Sequence, residues 1–202
     1  MRAVAAAVII LIRHGQSTTN ERGLLVGRSN PPLTDLGREQ ARRLSAYLGD
    51  VNEVWSSPLE RAVSTARLCV PDVEPVIKES FIEVDYGSLE GQSLDSITDE
   101  QWHEFEGDHE RPLLDGESLV EVDARVYAEL DALLADPTSA LHDPERHLVI
   151  VSHVSPIKSA ITWALGVSGS AAWRIRIDNG SMTFVATRRS TPSLIRSNVV
   201  PY

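Results

Sequence analysis

From Val8 to Ile12 the sequence is an unbroken run of valine, isoleucine and leucine that stops abruptly at Arg13-His14-Gly15-Gln16-Ser17-Thr18-Thr19-Asn20. A run this uniform, without polar alternation, predicts a strand covered on both faces, as in α/β proteins. The residues that follow emerge at the strand's carboxyl end, the edge where open α/β sheets bind ligands. A histidine there can present a ring nitrogen to a ligand, and Gly15 lets the backbone come close. A second apolar run, Leu148 to Val151, ends in the same way at Ser152-His153.

Between these runs the pattern alternates. Gly23 to Pro32 reads as a loop broken by Asn30-Pro31-Pro32. Thr34 to Leu48 reads as an amphipathic helix with Leu36, Ala41, Leu44 and Leu48 as its buried stripe, Thr34 as N-cap and Gly49 just past its end. Val51 to Trp55 predicts a short strand. Ser57-Pro58-Leu59-Glu60 then reads as a capping box with proline at the first helical position, opening a helix to Cys69. Arg61 falls in its first turn, where free N–H groups favour an anion. Val73 to Ile77 predicts a strand, and Phe81 to Gly91 neither strand nor helix. Gly116-Glu117-Ser118 opens a long helix whose core stripe is Leu119, Val122, Val126, Leu130 and Leu133. Ser155-Pro156 opens another, running to about Leu165. Strands are expected at Trp173 to Ile177, Met182 to Thr187 and Leu194 to Val199, with Asn179-Gly180 as a hairpin turn between the first two.

A chain of 202 residues suits one domain, 1–202, with a small lid around 92–116 where the pattern is irregular and acidic and includes Trp102-His103-Glu104-Phe105. The lone cysteine, Cys69, excludes an intrachain disulfide and fits a reducing compartment. No apolar run reaches the ~18 residues of a membrane span, and Ala3 to Ile12 lacks a clear cleavage site, so the expected location is cytoplasmic. The net charge of −10 argues against nucleic acid and anionic membrane as partners. It is concentrated: Glu79 to Asp131 holds seventeen acidic residues against only Arg111 and Arg125, which leaves the rest of the chain net basic. An anionic substrate would meet a basic body beneath an acidic flank. Most of those acids are expected on solvated helix faces.

Three strand-to-helix junctions thus present Arg13 with His14, Arg61, and His153, and Glu83 comes from the irregular segment. A phosphate fits this set, because arginines offer forked donors and helix N-termini add N–H groups. One histidine is left to attack. His14 would be kept neutral by the surrounding positive charge. A leaving alkoxide needs a proton, for which Glu83 is the available acid, with Asp85 and Glu90 as rivals. His103, His109, His142 and His147 show no metal-ligand spacing, and Cys69 has no activating neighbour in sequence.

Arg13-His14-Gly15 followed by Ser17 and Asn20, Ser57-Pro58 with Arg61, Glu83 four residues before Gly87, and Ser152-His153 together resemble the histidine phosphatase superfamily, also called phosphoglycerate mutase-like. The motifs lie in the family's order over nearly the whole chain. The resemblance implies a three-layer α/β/α sandwich with a central, mostly parallel sheet and a phosphatase-type activity on a small-molecule phosphomonoester. His14 would take the phosphoryl group while Glu83 protonates the departing oxygen, and water would then release it with Glu83 as base. Arg13, Arg61 and His153 would clamp the phosphoryl oxygens, Asn20 would add a donor, and Ser17 and Gly27 would line the entrance. No metal or organic cofactor is implied. Val154-Ser155 stands where the family commonly has glycine after the second histidine, and Lys158 where arginine is frequent.

Two other functions compete. A cofactor-dependent phosphoglycerate mutase would need a larger lid and basic residues between Gly91 and Gly116, and a catalytically silent phosphate-binding scaffold would not need the full residue set. The acidic segment itself predicts a preference for sugar, nucleoside or amino-bearing phosphomonoesters over those with further negative charge, α-ribazole phosphate being one family-based example. The chain is left open to homodimerisation.

Overall fold

The computed structural model describes residues 7–102, 108–112, 114–139, 141, 143, 146–188 and 191–201. The first apolar run forms β1 (Ala7–Arg13) and the second forms β4 (His147–Ser152), and the two pair in parallel at the centre of a six-stranded sheet. On the far side of β4 lie β2 (Glu53–Ser56) and the two-residue edge strand β3 (Val76–Ile77), both parallel to it. On the other side of β1, β5 (Met182–Arg188) and β6 (Thr191–Val199) run antiparallel as a hairpin, giving the order β3-β2-β4-β1-β5-β6.

Successive side chains of a strand point to opposite faces, and here each face has its own core. Ile9 and Leu11 of β1 with Leu148 and Ile150 of β4 pack under α4 (Leu119–Ala135) and α5 (Val154–Leu165). Ile10 and Ile12 with Val149 and Val151 pack under α2 (Asp35–Leu48) and α3 (Glu60–Cys69). The result is the three-layer α/β/α sandwich.

The helices begin and end where local chemistry stops the backbone from continuing. Thr34 Oγ1 accepts from Gly37 N at the start of α2, and Gly49 follows its end at φ +63°. Ser118 and Glu121 form a reciprocal capping box at the start of α4, whose five expected core positions are all buried. Leu36, however, is exposed, and the buried seat in the first turn of α2 belongs to Gly37. That glycine faces Gly15: a Cβ on Gly37 would run into the carbonyl of Gln16, and one on Gly15 into the carbonyl of Gly37. Backbone thus lies directly on backbone between α2 and the loop after β1. Gly37→Ala should therefore destabilise the protein by about 1–3 kcal/mol as overpacking, read as a lower urea midpoint with unchanged m-value. An unchanged midpoint would mean that the contact relaxes freely.

Three local expectations fail. Helix α3 starts at Glu60, with Leu59 in the cap position and no side-chain cap, so Ser57-Pro58 lies before it. The Ser57 hydroxyl instead meets Nε2 of His153 at 2.7 Å, although Leu59 N still donates to it at 3.3 Å. Trp173 to Ile177 is not a strand: residues Gly169–Arg174 form 3-10 turns, and Ile177 O is taken by Arg13 Nη1 at 2.7 Å. The hairpin at Asn179-Gly180 consequently does not exist, and that turn leads into β5 alone. Of Val73 to Ile77 only the last two residues pair, because Pro75 cannot donate to a ladder. Within the expected lid, Leu94–Ser96 is a 3-10 turn. His103, Glu104, Phe105 and His142 lie outside the described residues.

Candidate active site

Register places the two motif histidines. Arg13 of β1 pairs with Ser152 of β4, so the residues that follow, His14 and His153, stand side by side at the carboxyl edge, and His14 N donates to Ser152 O at 3.0 Å. Their ring centroids are 5.0 Å apart. Ser56 of β2 pairs with Val151, which brings Ser57 to the same edge as the neighbour of His153.

Hydrogen bonds fix the His14 tautomer. Nδ1 lies 2.7 Å from Gly15 O, a group that only accepts, so Nδ1 carries the proton and Nε2 keeps its lone pair. Arg61 Nε donates to that lone pair at 3.2 Å. The remaining Arg61 nitrogens reach carbonyls, Nη1 to Ser29 O and Nη2 to Gly27 O, both at 2.7 Å. Asn20 Oδ1 receives Ser17 N, Ser17 Oγ and Asn179 Nδ2, which leaves the Asn20 amide nitrogen as its outward donor.

Glu83 comes from the segment after Phe81, whose carbonyl is held by Ser152 Oγ at 2.7 Å. Its carboxylate caps α5: Val154 N donates to Oε2 at 3.1 Å, and Ser155 N and Val84 N donate to Oε1 at 3.2 and 2.9 Å. Val154 has ordinary helical backbone, because Leu114 and Asn198 are the non-glycine residues at positive φ among those described. Valine therefore fits this position without strain, and the residue lines the cavity.

Arg13, His14, Asn20 and Glu83 open onto a cavity of about 250 Å³. Arg61 and His153, 1% and 0% exposed, lie behind His14 and not on the cavity wall. Ser17 and Gly27 do not line it either. Ser17 is the N-cap of the short helix α1 (Thr18–Glu21), and Gly27 is a buried backbone anchor for Arg61. The rival carboxylates have other partners. Glu90 accepts from the backbone N–H groups of Gly27, Arg28 and Ser29, pinning the loop that holds Arg61, and Asp85 accepts from Gly87 N. Sequence reasoning missed Glu90 in this role, Ser57 as partner of His153, and Asn179, which bridges His14 O and Asn20. The run of backbone N–H groups at Gly27 to Ser29 carries no sequence signal.

Burial, then Arg61, then Arg13 hold His14 well below the usual imidazole range, and burial and Arg61 do the same to His153. The expected cause, positive charge, thus ranks second to loss of water. Burial also draws Arg61 down to about 10 and pushes the Cys69 thiol up to about 12, far from a reactive thiolate. In the Arg13 guanidinium Nε is buried without a hydrogen-bond partner, as is Nδ1 of His153. Among the described residues no three of His, Cys, Asp and Glu are grouped to hold a metal ion, and no helix is long and apolar enough to cross a membrane.

The two histidines imply a stability profile. Their native pKa values are depressed, so below the ordinary value of 6.5 the unfolded chain binds protons that the native chain does not. Stability is fully present above 6.5 and falls as pH drops towards the native values, by up to about 1.4 kcal/mol per pH unit for each imidazole. Urea unfolding between pH 7.5 and 5.5 should show this slope, reduced by one proton in His153→Gln. An unchanged slope in the variant would show that His153 does not carry the effect.

A family model for the histidine phosphatase superfamily (branch 1) matches residues 9–200. The chain belongs to the histidine phosphatase superfamily. Within it, the chain is 31% identical over 93% of its length to the bifunctional protein Rv2228c of Mycobacterium tuberculosis, of which the match covers 52%. It thus spans about half the length of the first curated relatives it matches. Phosphoserine phosphatase 1 of Hydrogenobacter thermophilus is 27% identical, with 95% of this chain and 92% of that protein covered. A histidine-to-alanine mutant of phosphoserine phosphatase from Entamoeba histolytica, solved in complex with phosphoserine, superimposes with a TM-score of 0.83 at 25% identity over 95% of this chain and 96% of that one.

Proposed function

We propose that this chain is a phosphomonoesterase that acts on small-molecule phosphate esters through a phosphohistidine at His14 Nε2. One observation carries the reading. A neutral imidazole is locked with its lone-pair nitrogen next to a guanidinium, at the edge of a cavity that Glu83 and Arg13 also enter.

The chemistry follows from those atoms. The Nε2 lone pair attacks phosphorus, the ester P–O bond breaks, and Glu83 gives its proton to the departing oxygen. As phosphorus takes the place of the Arg61 hydrogen bond, Arg61 Nε turns its N–H to a phosphoryl oxygen. Arg13 Nε and the Asn20 amide supply further donors, and the His153 ring lies 5.0 Å from that of His14. In the second step the Glu83 carboxylate takes a proton from water, whose oxygen attacks phosphorus and breaks the P–Nε2 bond. Phosphate leaves and both groups return to their starting states. The named phosphoserine phosphatases among the relatives support a small, polar leaving group.

Rapid quenching of the enzyme during turnover of a labelled phosphomonoester tests the reading. Acid-labile, base-stable phosphate should appear on the protein and map to His14, with free phosphate as product. A mutase assay with and without 2,3-bisphosphoglycerate belongs beside it. Transfer to 3-phosphoglycerate at a rate above hydrolysis would replace the phosphatase reading with the mutase one, and binding without turnover would leave a scaffold.

A further inference from the structure

The cavity extends beyond the reacting atoms, and α5 gives the scale. Val154 and Ser155 hold Glu83, and Ser159 lies one turn further along the helix, about 6 Å on. Ser159 Oγ donates to Asp123 Oδ1 of α4 at 2.5 Å, and both residues line the cavity. A leaving group whose ester oxygen sits at Glu83 therefore runs along α5 towards Asp123.

That carboxylate shares the cavity with Lys158 and His109. Among the described residues no lysine or arginine forms an ion pair with Asp123. The nearby Lys158 ammonium sits over the ring of Trp173, 5.1 Å from its centroid. Trp173 Nε1 donates to His109 Nε2 at 3.1 Å. The 3-10 segment closes this end with Gly169, where a Cβ would collide with Asp123 Oδ2 and approach His109 Nδ1 to 2.9 Å. Asp123 is half-buried, which raises its pKa, while Ser159 and His109 act in the opposite direction. One carboxylate oxygen is thus engaged by a hydroxyl in a partly desolvated pocket, where a charged acceptor discriminates strongly between donors and anions.

We propose that Asp123 sets specificity for the leaving group, accepting a hydrogen bond from an ammonium or hydroxyl on the substrate tail and excluding a carboxylate there. The proposal rests on the phosphomonoesterase reading and narrows its substrate class to esters of amino alcohols and polyols. It also locates in one side chain the selectivity that the acidic stretch of sequence suggests only in bulk.

The test uses three size-matched substrates, 3-aminopropyl, 3-hydroxypropyl and 2-carboxyethyl phosphate, with the full chain at one ionic strength. For wild type kcat/KM should fall in that order. In Asp123→Asn the ratio of the amino to the carboxy substrate should drop by about tenfold or more, the size expected for losing a charge-assisted hydrogen bond. Ser159→Ala, which removes the group that aims the carboxylate, should move the ratio the same way by less. Because the readout is a ratio, a general loss of activity cancels. An amino-to-carboxy ratio that stays the same in Asp123→Asn, or a wild type that prefers the carboxylate tail, overturns the proposal. Should Asp123→Asn not fold, an unchanged ratio in Ser159→Ala overturns it. Failure of the underlying reading looks different: wild type would hydrolyse none of the three substrates, nor p-nitrophenyl phosphate.

Discussion

Replacing His14 with alanine should lower kcat/KM for p-nitrophenyl phosphate by about four orders of magnitude or more, because it removes the lone pair that is held beside Arg61 at the cavity edge. The nearest alternative nucleophile is His153, but its Nε2 is bound to Ser57 and it lies behind the cavity wall. Water attacking directly would lack the step that separates bond breaking from hydrolysis. The variant should also give no trapped phosphoenzyme, and it should regain part of its turnover when free imidazole is added, since the substitution leaves a ring-sized space beside Arg61. Stability should change in the opposite sense to activity at low pH, because one imidazole that resists protonation is gone. Activity within tenfold of wild type would remove His14 from the mechanism, whatever the geometry.

Glu83→Gln should reduce kcat/KM by about 10²- to 10⁴-fold for alkyl phosphates, the usual worth of a placed general acid, and by much less for p-nitrophenyl phosphate, whose leaving group departs without a proton. The difference between the two substrates is the diagnostic quantity. Glu83 also caps α5 by accepting from Val154 N and Ser155 N, and a glutamine can satisfy only part of that arrangement because its amide nitrogen is a donor. Some loss of thermal stability is therefore expected, and it acts on both substrates alike. Equal losses for alkyl and nitrophenyl esters would make Glu83 a structural cap and remove it from the acid role.

What could be read from the sequence was what local chemistry decides. The runs at Val8 to Ile12 and Leu148 to Val151 are buried on both faces and admit one reading. Thr34 with Gly49, and Ser118 with Glu121, mark helix ends with groups a few residues apart. Apart from the strand cut short at Pro75, the misreadings share a cause, which is a partner far along the chain. Ser57 has every local feature of a helix cap, but its hydroxyl is engaged by a histidine that follows it by 96 positions. Trp173 to Ile177 alternates like a strand, yet β5 already has β1 and β6 on its two sides, and Arg13 takes the Ile177 carbonyl. Leu36 fits a core stripe by residue type, whereas the close approach at Gln16 demands a residue with no side chain one position later. Among the site residues, Arg13, His14, Arg61 and His153 announce themselves by position at strand ends or helix starts, and Glu83 as a carboxylate in the irregular segment after Phe81. The Asp123–Ser159 pair does not, since each sits mid-helix within an ordinary amphipathic pattern.

The backbone positions of the two histidines are set by a ladder of main-chain bonds, from Arg13 opposite Ser152 to His14 N on Ser152 O, on which Arg61 and Ser57 then hold the rings. The far wall, by contrast, is assembled from α4, α5 and the turns around Trp173, none of which carries that ladder. Retargeting this scaffold to a new alcohol is therefore modular, because residues around Asp123 and Trp173 can be exchanged as a block while the reactive pair keeps its separation.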